Sequence, residues 1–239
     1  EDLLKFKSWL KENCCHKVAL ESTGNYWLPI YHVLEGSVNF ILANAYQIKH
    51  IPGRKTDSLD SEWIAELCLK NLISPSRIFT KDHRELRSLT RARESLIKIR
   101  TKIKNRITHE LEAACIKLSS VIADVFVKSG RHIVDGLLNG MDLEKILESI
   151  PSGRVRKNKE EIRGIIQANL SSSQIFLLRS HLNMIDAVTK QIEEIDAKIS
   201  DQISLRNEDM RIALSMPGMG FISASTILAE IGDFRDFSS

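Results

Sequence analysis

The sequence predicts an α/β domain followed by a mainly α-helical chain, and three features support this fold class. Short apolar runs alternate with helical patterns over residues 1–75, which is typical of strands joined by helices. From Arg84 onward, apolar residues recur at steps of three and four, as on one face of a long helix. A Gly-containing turn, "MPGMG", then separates two shorter helical patterns. We therefore predict domains at residues 1–78, 79–206 and 207–239.

The first segment contains two predicted strands, "KVALES" at 17–22 and "VNFILANA" at 38–45. Both are apolar runs of strand length. Helical spacing is found in "DLLKFKSWLKEN", in "NYWLPIYHVLEG", where Pro29 is tolerated near the start, and in "SLDSEWIAELCLKNL". This alternation predicts a partly parallel sheet with helices on its faces. We expect Tyr26 and Trp27 to lie in the core between helix and sheet.

Two later segments have the repeating apolar positions of a coiled-coil seam. In the first segment these positions are Leu86, Leu89, Leu96, Ile99, Ile103, Ile107, Leu111 and Leu118. In the second segment they are Leu178, Leu182, Ile185, Val188, Ile192, Ile195, Ile199 and Ile203. Two such helices either fold back on each other or pair with a second subunit. The second arrangement would give a homodimer or tetramer through coiled-coil helices.

Composition narrows the class of protein. Of 239 residues, 43% are apolar and only 5 are Pro, which indicates a globular chain. No run approaches 18 apolar residues, so we expect no membrane span. The four cysteines form no CxxC pair, which favours a reducing cytoplasm over a disulfide or zinc framework.

Positive charge is concentrated in one segment. Between Arg77 and Arg106 there are eleven Lys or Arg residues against three Asp or Glu, a local net charge of +8. A nucleic acid is the natural partner for such a segment. A solvated helix face is the alternative, and charge alone leaves both open.

Three carboxylates form a candidate metal site. Glu21 ends the first predicted strand, and Asp57 and Asp60 stand at positions i and i+3 where a helix begins. Residues at i and i+3 share a helix face, and converging carboxylates are the oxygen ligands that Mg²⁺ prefers. The same residues also suit a turn and the first turn of a helix. Spacing leaves both interpretations open.

Basic residues near these carboxylates are candidate phosphate contacts. Arg54 and Lys55 precede the aspartate pair and could neutralise a phosphate that enters the metal site. Arg84, Arg87 and Arg91 follow at steps of three and four, so we expect them to form a stripe on one helix face that contacts a nucleic-acid backbone.

Two glycines of "MPGMG", Gly218 and Gly220, are further candidates. In a helix-hairpin-helix turn, backbone N–H groups freed by glycines bind a phosphate. The alternative is a plain connector in which both glycines supply a positive φ.

Three segments in order, "ALESTGNYW", "GRKTDSLDSEWIAEL" and "MPGMGFISASTILAEIGDF", resemble the DEDD transposases of the insertion sequence 110 family. The resemblance implies an RNase H-like (RuvC-like) first domain whose four acidic residues bind Mg²⁺. Glu21, Asp57 and Asp60 match three of them and would be both catalytic residues and metal ligands. It also implies DNA and a structured guide RNA as partners.

The sequence departs from this family at two positions. The family's first aspartate belongs to a strand that we expect upstream of residue 1. Its serine nucleophile lies in a context that no serine of this chain matches, and we expect it beyond residue 239. We therefore predict a fragment of an enzyme that cleaves and rejoins DNA strands. The alternatives are a RuvC-like Holliday-junction nuclease and a non-catalytic nucleic-acid-binding dimer.

Overall fold

The computed structural model describes residues 1–50, 60–166, 170–204 and 207–232. The chain forms two compact units, one ending at Thr80 and one beginning at Lys81. The first unit is α/β and the described part of the second is helical, so the predicted α/β plus α layout is confirmed. The division into three domains stays a prediction. Among the described residues, no helix is both long and apolar enough to cross a bilayer.

The first unit contains a two-stranded parallel sheet and four described helices. Their order is α1 (Asp2–Glu12), β1 (Lys17–Glu21), α2 (Trp27–Leu34), β2 (Asn39–Ala43), α3 (Ala45–His50) and α4 (Asp60–Leu69). Each strand is close to its predicted range. No helix was predicted directly after the second strand, and α3 (Ala45–His50) forms there. Because β1 and β2 are parallel, α2 is the crossover helix that parallel strands require.

The crossover helix packs on the sheet through aromatic rings. The Tyr31 ring meets the Phe40 ring of β2 edge-on, with ring centroids 5.2 Å apart, and the Trp27 ring lies 5.9 Å from that of Tyr31. Trp27 is half-buried, as a residue of this layer should be. Tyr26 is 82% exposed, so the prediction that it lies in the core is wrong. The reason is that Tyr26 precedes the first turn of α2 and does not belong to its packed face.

The second unit is built around two long helices. Its described elements are α5 (Lys81–Ala113), a 3₁₀ turn (Leu118–Ser120), α6 (Lys128–Leu138), α7 (Leu143–Glu148), α8 (Gly153–Arg156), α9 (Lys159–Ile165), α10 (Ser172–Ile203), α11 (Asn207–Leu214) and α12 (Phe221–Ile231). Neither Gly nor Pro interrupts α5, which explains its length. A capping box between Ser171 and Gln174 starts α10.

The two long helices fold back on each other within one chain. Arg93 of α5 pairs with Asp196 of α10, and Gln202 donates a hydrogen bond of 3.4 Å to Glu85. The start of α5 therefore lies beside the end of α10, and the helices are antiparallel. All eight predicted seam positions of α10 are buried or half-buried. This packing disfavours a dimer formed by the same seam, because the chain already covers it.

The seam of α5 follows its prediction with one exception. Five of its positions are buried, namely Leu86, Ile103, Ile107, Leu111 and, in the 3₁₀ turn, Leu118. Ile99 is 45% exposed, so its assignment to the seam is wrong. The cause is that Leu96 and Arg100 are half-buried, so these two residues, and not Ile99, belong to the packed face of α5 at this level.

Two apolar clusters lie along the helix pair. The first joins the second half of α5 and the first half of α10 to α6, α7 and α9. The second cluster joins the first half of α5 and the second half of α10 to α11 and α12. Its residues include Ile203, Met210 and Leu228. The helices flanking "MPGMG" thus share a core with the long helices.

Two glycines of the second unit provide a test of this packing. In α6, a Cβ added to Gly130 would lie 2.4 Å from the carbonyl oxygen of Val125, a backbone atom that cannot rotate away. We expect Gly130→Ala to lower the free energy of unfolding by about 1–3 kcal/mol, the usual cost of overpacking.

Gly164 of α9 is the matched control, because nothing lies within 4 Å of its added Cβ. Gly164→Ala should raise the free energy of unfolding by up to about 1 kcal/mol through helix propensity. Urea unfolding followed by circular dichroism measures both variants. Equal shifts in the same direction would contradict the close approach at Gly130.

Candidate metal centre

Glu21 lies at the carboxyl end of β1, where the sheet presents an edge. Its Cα partner is Ala43, the last residue of β2, and the Ser22 N–H donates to the Ala43 carbonyl oxygen at 2.9 Å. Since the strands are parallel, both chains leave the sheet at this same edge. Ligand sites of α/β sheets form outside the carboxyl ends of strands. Glu21 is therefore at the position where the sheet can offer a carboxylate to a ligand.

A neighbouring hydroxyl orients the Glu21 carboxylate. The Thr23 hydroxyl donates a hydrogen bond to Oε1 of Glu21. Among the described residues, no Lys, Arg or His side chain forms an ion pair with this carboxylate. Glu21 is half-buried, so it keeps access to solvent and to an incoming cation. An oriented, half-buried carboxylate without a cationic partner is suited to metal binding.

The direction of α4 brings its first residue toward the same edge. Lys17, the first residue of β1, donates through Nζ to Oδ1 of Asn71, just after α4 ends, at 3.2 Å. Because α4 also packs against β1, the helix runs antiparallel to the strand. Ten helical residues span about 15 Å, close to the roughly 16 Å of a five-residue strand. Asp60, the first residue of α4, therefore stands toward the edge that holds Glu21.

The other predicted residues of this site fall outside the described part of the chain. Arg54, Lys55 and Asp57 lie between residues 50 and 60, and the Asp60 side chain is also not described. Among the side chains that the structure describes, no three His, Cys, Asp or Glu come together as metal ligands. The grouping of Glu21, Asp57 and Asp60 stays a prediction.

Asn44 is a polar residue of this edge that sequence reasoning missed. It follows β2 directly, and its Oδ1 accepts a hydrogen bond of 2.9 Å from the Tyr46 N–H. This bond fixes the side chain and leaves the Nδ2 amide group as a donor. A polar residue directly after a buried strand, beside the strand that ends in Glu21, was the signal that could have identified it.

Two arginines of the predicted phosphate stripe have a partner inside the chain. Arg87 donates to Oε2 of Glu230 at 2.8 Å, and Arg91 donates to Oε1 at 2.8 Å and to Oε2 at 3.1 Å. Hydrogen bonds from Arg91 and then Arg87 hold the pKa of the Glu230 carboxyl at about 2. The third arginine, Arg84, is half-buried. Arg87 and Arg91 therefore tie α5 to α12, and the nucleic-acid role of the stripe stays a prediction.

Other cations of α5 point away from the helix pair. Lys98, Lys102 and Arg106 follow each other at four-residue steps and are exposed, so they share one face of the helix. Lys98 pairs with Glu94 on the surface. Lys102 and Arg106 have no ion pair among the described residues. We call Lys98, Lys102 and Arg106 the outer basic face.

The "MPGMG" turn contains one glycine that needs its special backbone conformation. Gly218 has φ +80°, and the Met219 N–H donates to the Met216 carbonyl oxygen at 3.1 Å. Gly220 has φ −89° and ψ 163° and caps α12. The interpretation that both glycines supply a positive φ thus applies to Gly218 alone. Both residues are exposed, so the turn is accessible.

The Glu230 cluster predicts a specific pH dependence. The Glu230 pKa of about 2 lies below the ordinary value of 4.5, so its stabilising effect is complete above about pH 4.5 and is lost as the pH falls through about 2. We expect Glu230→Gln to lower the Tm at pH 7, with a difference from wild type that shrinks between pH 5 and pH 2. Calorimetry across this range measures it.

Glu193→Gln is the control, because Glu193 is exposed on α10 and has no ion pair among the described residues. It should leave the pH dependence of the Tm unchanged. A difference between Glu230→Gln and wild type that stays constant down to pH 2 would contradict the assigned pairing.

Comparison with known proteins gives a family match for part of the chain. The model of the DEDD transposases of insertion sequence 110, described as a transposase, matches residues 1–116. A search of the curated proteins finds no match. The matched range contains Glu21, Asp57 and Asp60 together with the whole first unit and α5. The resemblance seen in the first two motifs is confirmed, since residues 1–116 of this chain are similar to the DEDD transposases of the insertion sequence 110 family.

Proposed function

We propose that this chain acts in Mg²⁺-dependent cleavage and rejoining of DNA strands during transposition, through a metal held by Glu21, Asp57 and Asp60. A transposase role follows from the family. The observation that carries the finer proposal is the antiparallel run of α4 along β1. It directs the start of α4 at Asp60 to the sheet edge where Glu21 ends β1.

The chemistry of the donor set fits Mg²⁺. A half-buried carboxylate at a strand end and two aspartates three positions apart in the sequence are hard oxygen ligands of the kind that Mg²⁺ prefers. Mg²⁺ binds through few carboxylates and keeps positions for phosphate oxygens. The parallel β1–α2–β2 arrangement supports the RNase H-like (RuvC-like) fold as part of the proposal. The family's first aspartate has no match in this sequence.

Within this site the chain's own residues position the reacting groups. Glu21, oriented by Thr23, would bind the cation at the sheet edge. Asp57 and Asp60 would bind it as further ligands. When bound, Mg²⁺ would polarise the scissile phosphate and stabilise the charge that develops on its oxygens. Arg54 and Lys55 would neutralise the incoming backbone.

Nucleic acid would also contact the helical unit. The outer basic face offers three exposed cations along α5. Lys102 and Arg106 have no ion pair among the described residues, whereas Arg87 and Arg91 pair with Glu230, so the outer basic face is the better phosphate surface. The exposed turn at Gly218 would add backbone contacts. A guide RNA is part of the proposal as an implication of the family, and the outer basic face is suited to a polyanion of either kind.

The metal proposal is tested by one isosteric substitution. Glu21→Gln removes the charge and keeps the shape, so we expect Mg²⁺ binding to weaken by about tenfold or more, since even outer-shell partners of metal sites contribute about 10–100-fold. The Mg²⁺-induced rise of the Tm measures this affinity. Glu12→Gln, an exposed carboxylate at the end of α1, is the control. An unchanged Mg²⁺ response of Glu21→Gln would refute the site.

The outer basic face is tested by salt dependence. Replacing Lys102 and Arg106 by Gln should weaken binding of duplex DNA of unrelated sequences alike and reduce the slope of log K against log salt by about 1 per lost phosphate contact. Fluorescence anisotropy across a salt series measures the slope. The charge-matched control is Lys190→Gln with Lys198→Gln on α10. Equal slopes for the two double variants would contradict a specific role of this face.

A further inference from the structure

A cavity of about 330 Å³ opens beside the edge that holds Glu21. It lies at the carboxyl end of β2, where Asn44 follows Ala43, the Cα partner of Glu21. Its walls include Asn44, Tyr46, Gln47, His50, Leu72 and Ser74. The volume falls within the range of about 300–1,000 Å³ that small-molecule sites occupy. The cavity is therefore large enough for one planar ring system, and through Asn44 it borders the sheet edge at which Glu21 ends β1.

Tyr46 gives this cavity an aromatic wall. Tyr46 is 70% exposed although it belongs to α3. The His50 ring supports it from one side, with the two ring centroids 4.1 Å apart. His50 is itself held in place, because its Nδ1 lies 2.6 Å from the Tyr46 carbonyl oxygen. A supported ring with so much free surface is a platform on which another ring can stack.

The other walls combine an apolar surface with free polar groups. Leu72 lines the same cavity and is 55% exposed, which provides an apolar contact for a ring face. Oδ1 of Asn44 accepts from the Tyr46 N–H, while its Nδ2 group has no acceptor among the described residues. The Gln47 amide and the Ser74 hydroxyl are exposed and have no hydrogen bond among the described residues. These groups can pair with the edge of a heterocyclic base.

We propose that this cavity binds one unpaired nucleobase of the DNA strand that approaches the Glu21 edge, with Tyr46 as the stacking platform. The proposal rests on the proposed function, because that function makes the strand near Glu21 a DNA strand. A base turned out of its stack gives a nearby phosphate more freedom to approach a metal. Tyr46 is then a positioning residue, and its free surface is the place where the base lies.

Binding to a strand with and without bases tests this inference separately from metal chemistry. The probes are single-stranded oligothymidylate and an abasic deoxyribose phosphodiester of the same length, measured by fluorescence anisotropy with the full chain and no divalent cation. The wild type should prefer the oligothymidylate by roughly tenfold, in line with the contribution of one stacked base. Tyr46→Ala should lose this preference, and Tyr46→Phe should keep it.

Two control variants distinguish a failure of the base site from a failure of the metal site. Trp9→Ala removes an aromatic side chain that is 53% exposed on α1 and should keep the preference for bases. Glu21→Gln should also keep it, so loss of the metal site and loss of the base site are distinguishable. Circular dichroism verifies folding, which the exposed position of Tyr46 should leave intact.

Three results would overturn the proposal. One is a wild type without preference for bases, and another is a Tyr46→Ala variant that retains the preference. The third is tighter binding of oligouridylate than of oligothymidylate that depends on Tyr46, which would assign the cavity to RNA.

Discussion

The parallel pairing of β1 with β2 is the constraint on which the candidate site depends. Its register joins Lys17 to Asn39 at one end and Glu21 to Ala43 at the other. A slip of one residue would turn every side chain of β1 to the opposite face of the sheet. The parallel direction also requires α2 as a crossover, and it places the exits of both strands at one edge. Glu21, Thr23 and Asn44 lie together for this reason.

The same constraint explains the role of α4. A helix that packs against β1 can run with the strand or against it, and the contact of Lys17 with Asn71 fixes the second direction. The start of the helix then shares an edge with the end of the strand. A polar edge of this kind can recruit a cation and a phosphate together, while the apolar faces of the strands and helices remain in contact with each other.

In the helical unit, charge serves two purposes. Arg87 and Arg91 hold the Glu230 carboxylate and thereby fasten α12 to α5, and Arg93 fastens α10 to α5 through Asp196. These cations lie on faces of α5 that meet other helices. Lys102 and Arg106 lie on the outer basic face, where nothing described neutralises them. A count of positive charges in the sequence includes all of these cations, although only Lys102 and Arg106 are available to a polyanion.

Local patterns were predictable from the sequence, and long-range partners were not. The strands around Ala19 and Ile41 and the seam of α10 follow from periodicity, because burial of one face is a local property of spacing. The pairing of Arg87 with Glu230 joins residues 143 positions apart, and no spacing rule predicts it. For the same reason the exposed face of Tyr46 was missed, since its cavity is formed with Leu72 from another part of the chain.

For the candidate site, the sequence predicted Glu21, Asp57 and Asp60 as ligands by type and order. Motif spacing could not show that α4 runs back toward the Glu21 edge, because helix direction depends on packing against β1. Sequence patterns did not predict Asn44 or Thr23 as site residues, because a lone polar residue after a strand is common. Their importance follows from hydrogen bonds that only a folded edge creates.

We propose that a metal binds between the end of β1 and the start of α4. Replacing Mg²⁺ by Fe²⁺ with ascorbate and peroxide, and mapping backbone cuts by mass spectrometry, tests it most directly. The account predicts cuts near Glu21, near Asn44 and at residues 57–60, all suppressed by excess Mg²⁺. Cuts confined to other segments, or cuts that Mg²⁺ does not suppress, would contradict it.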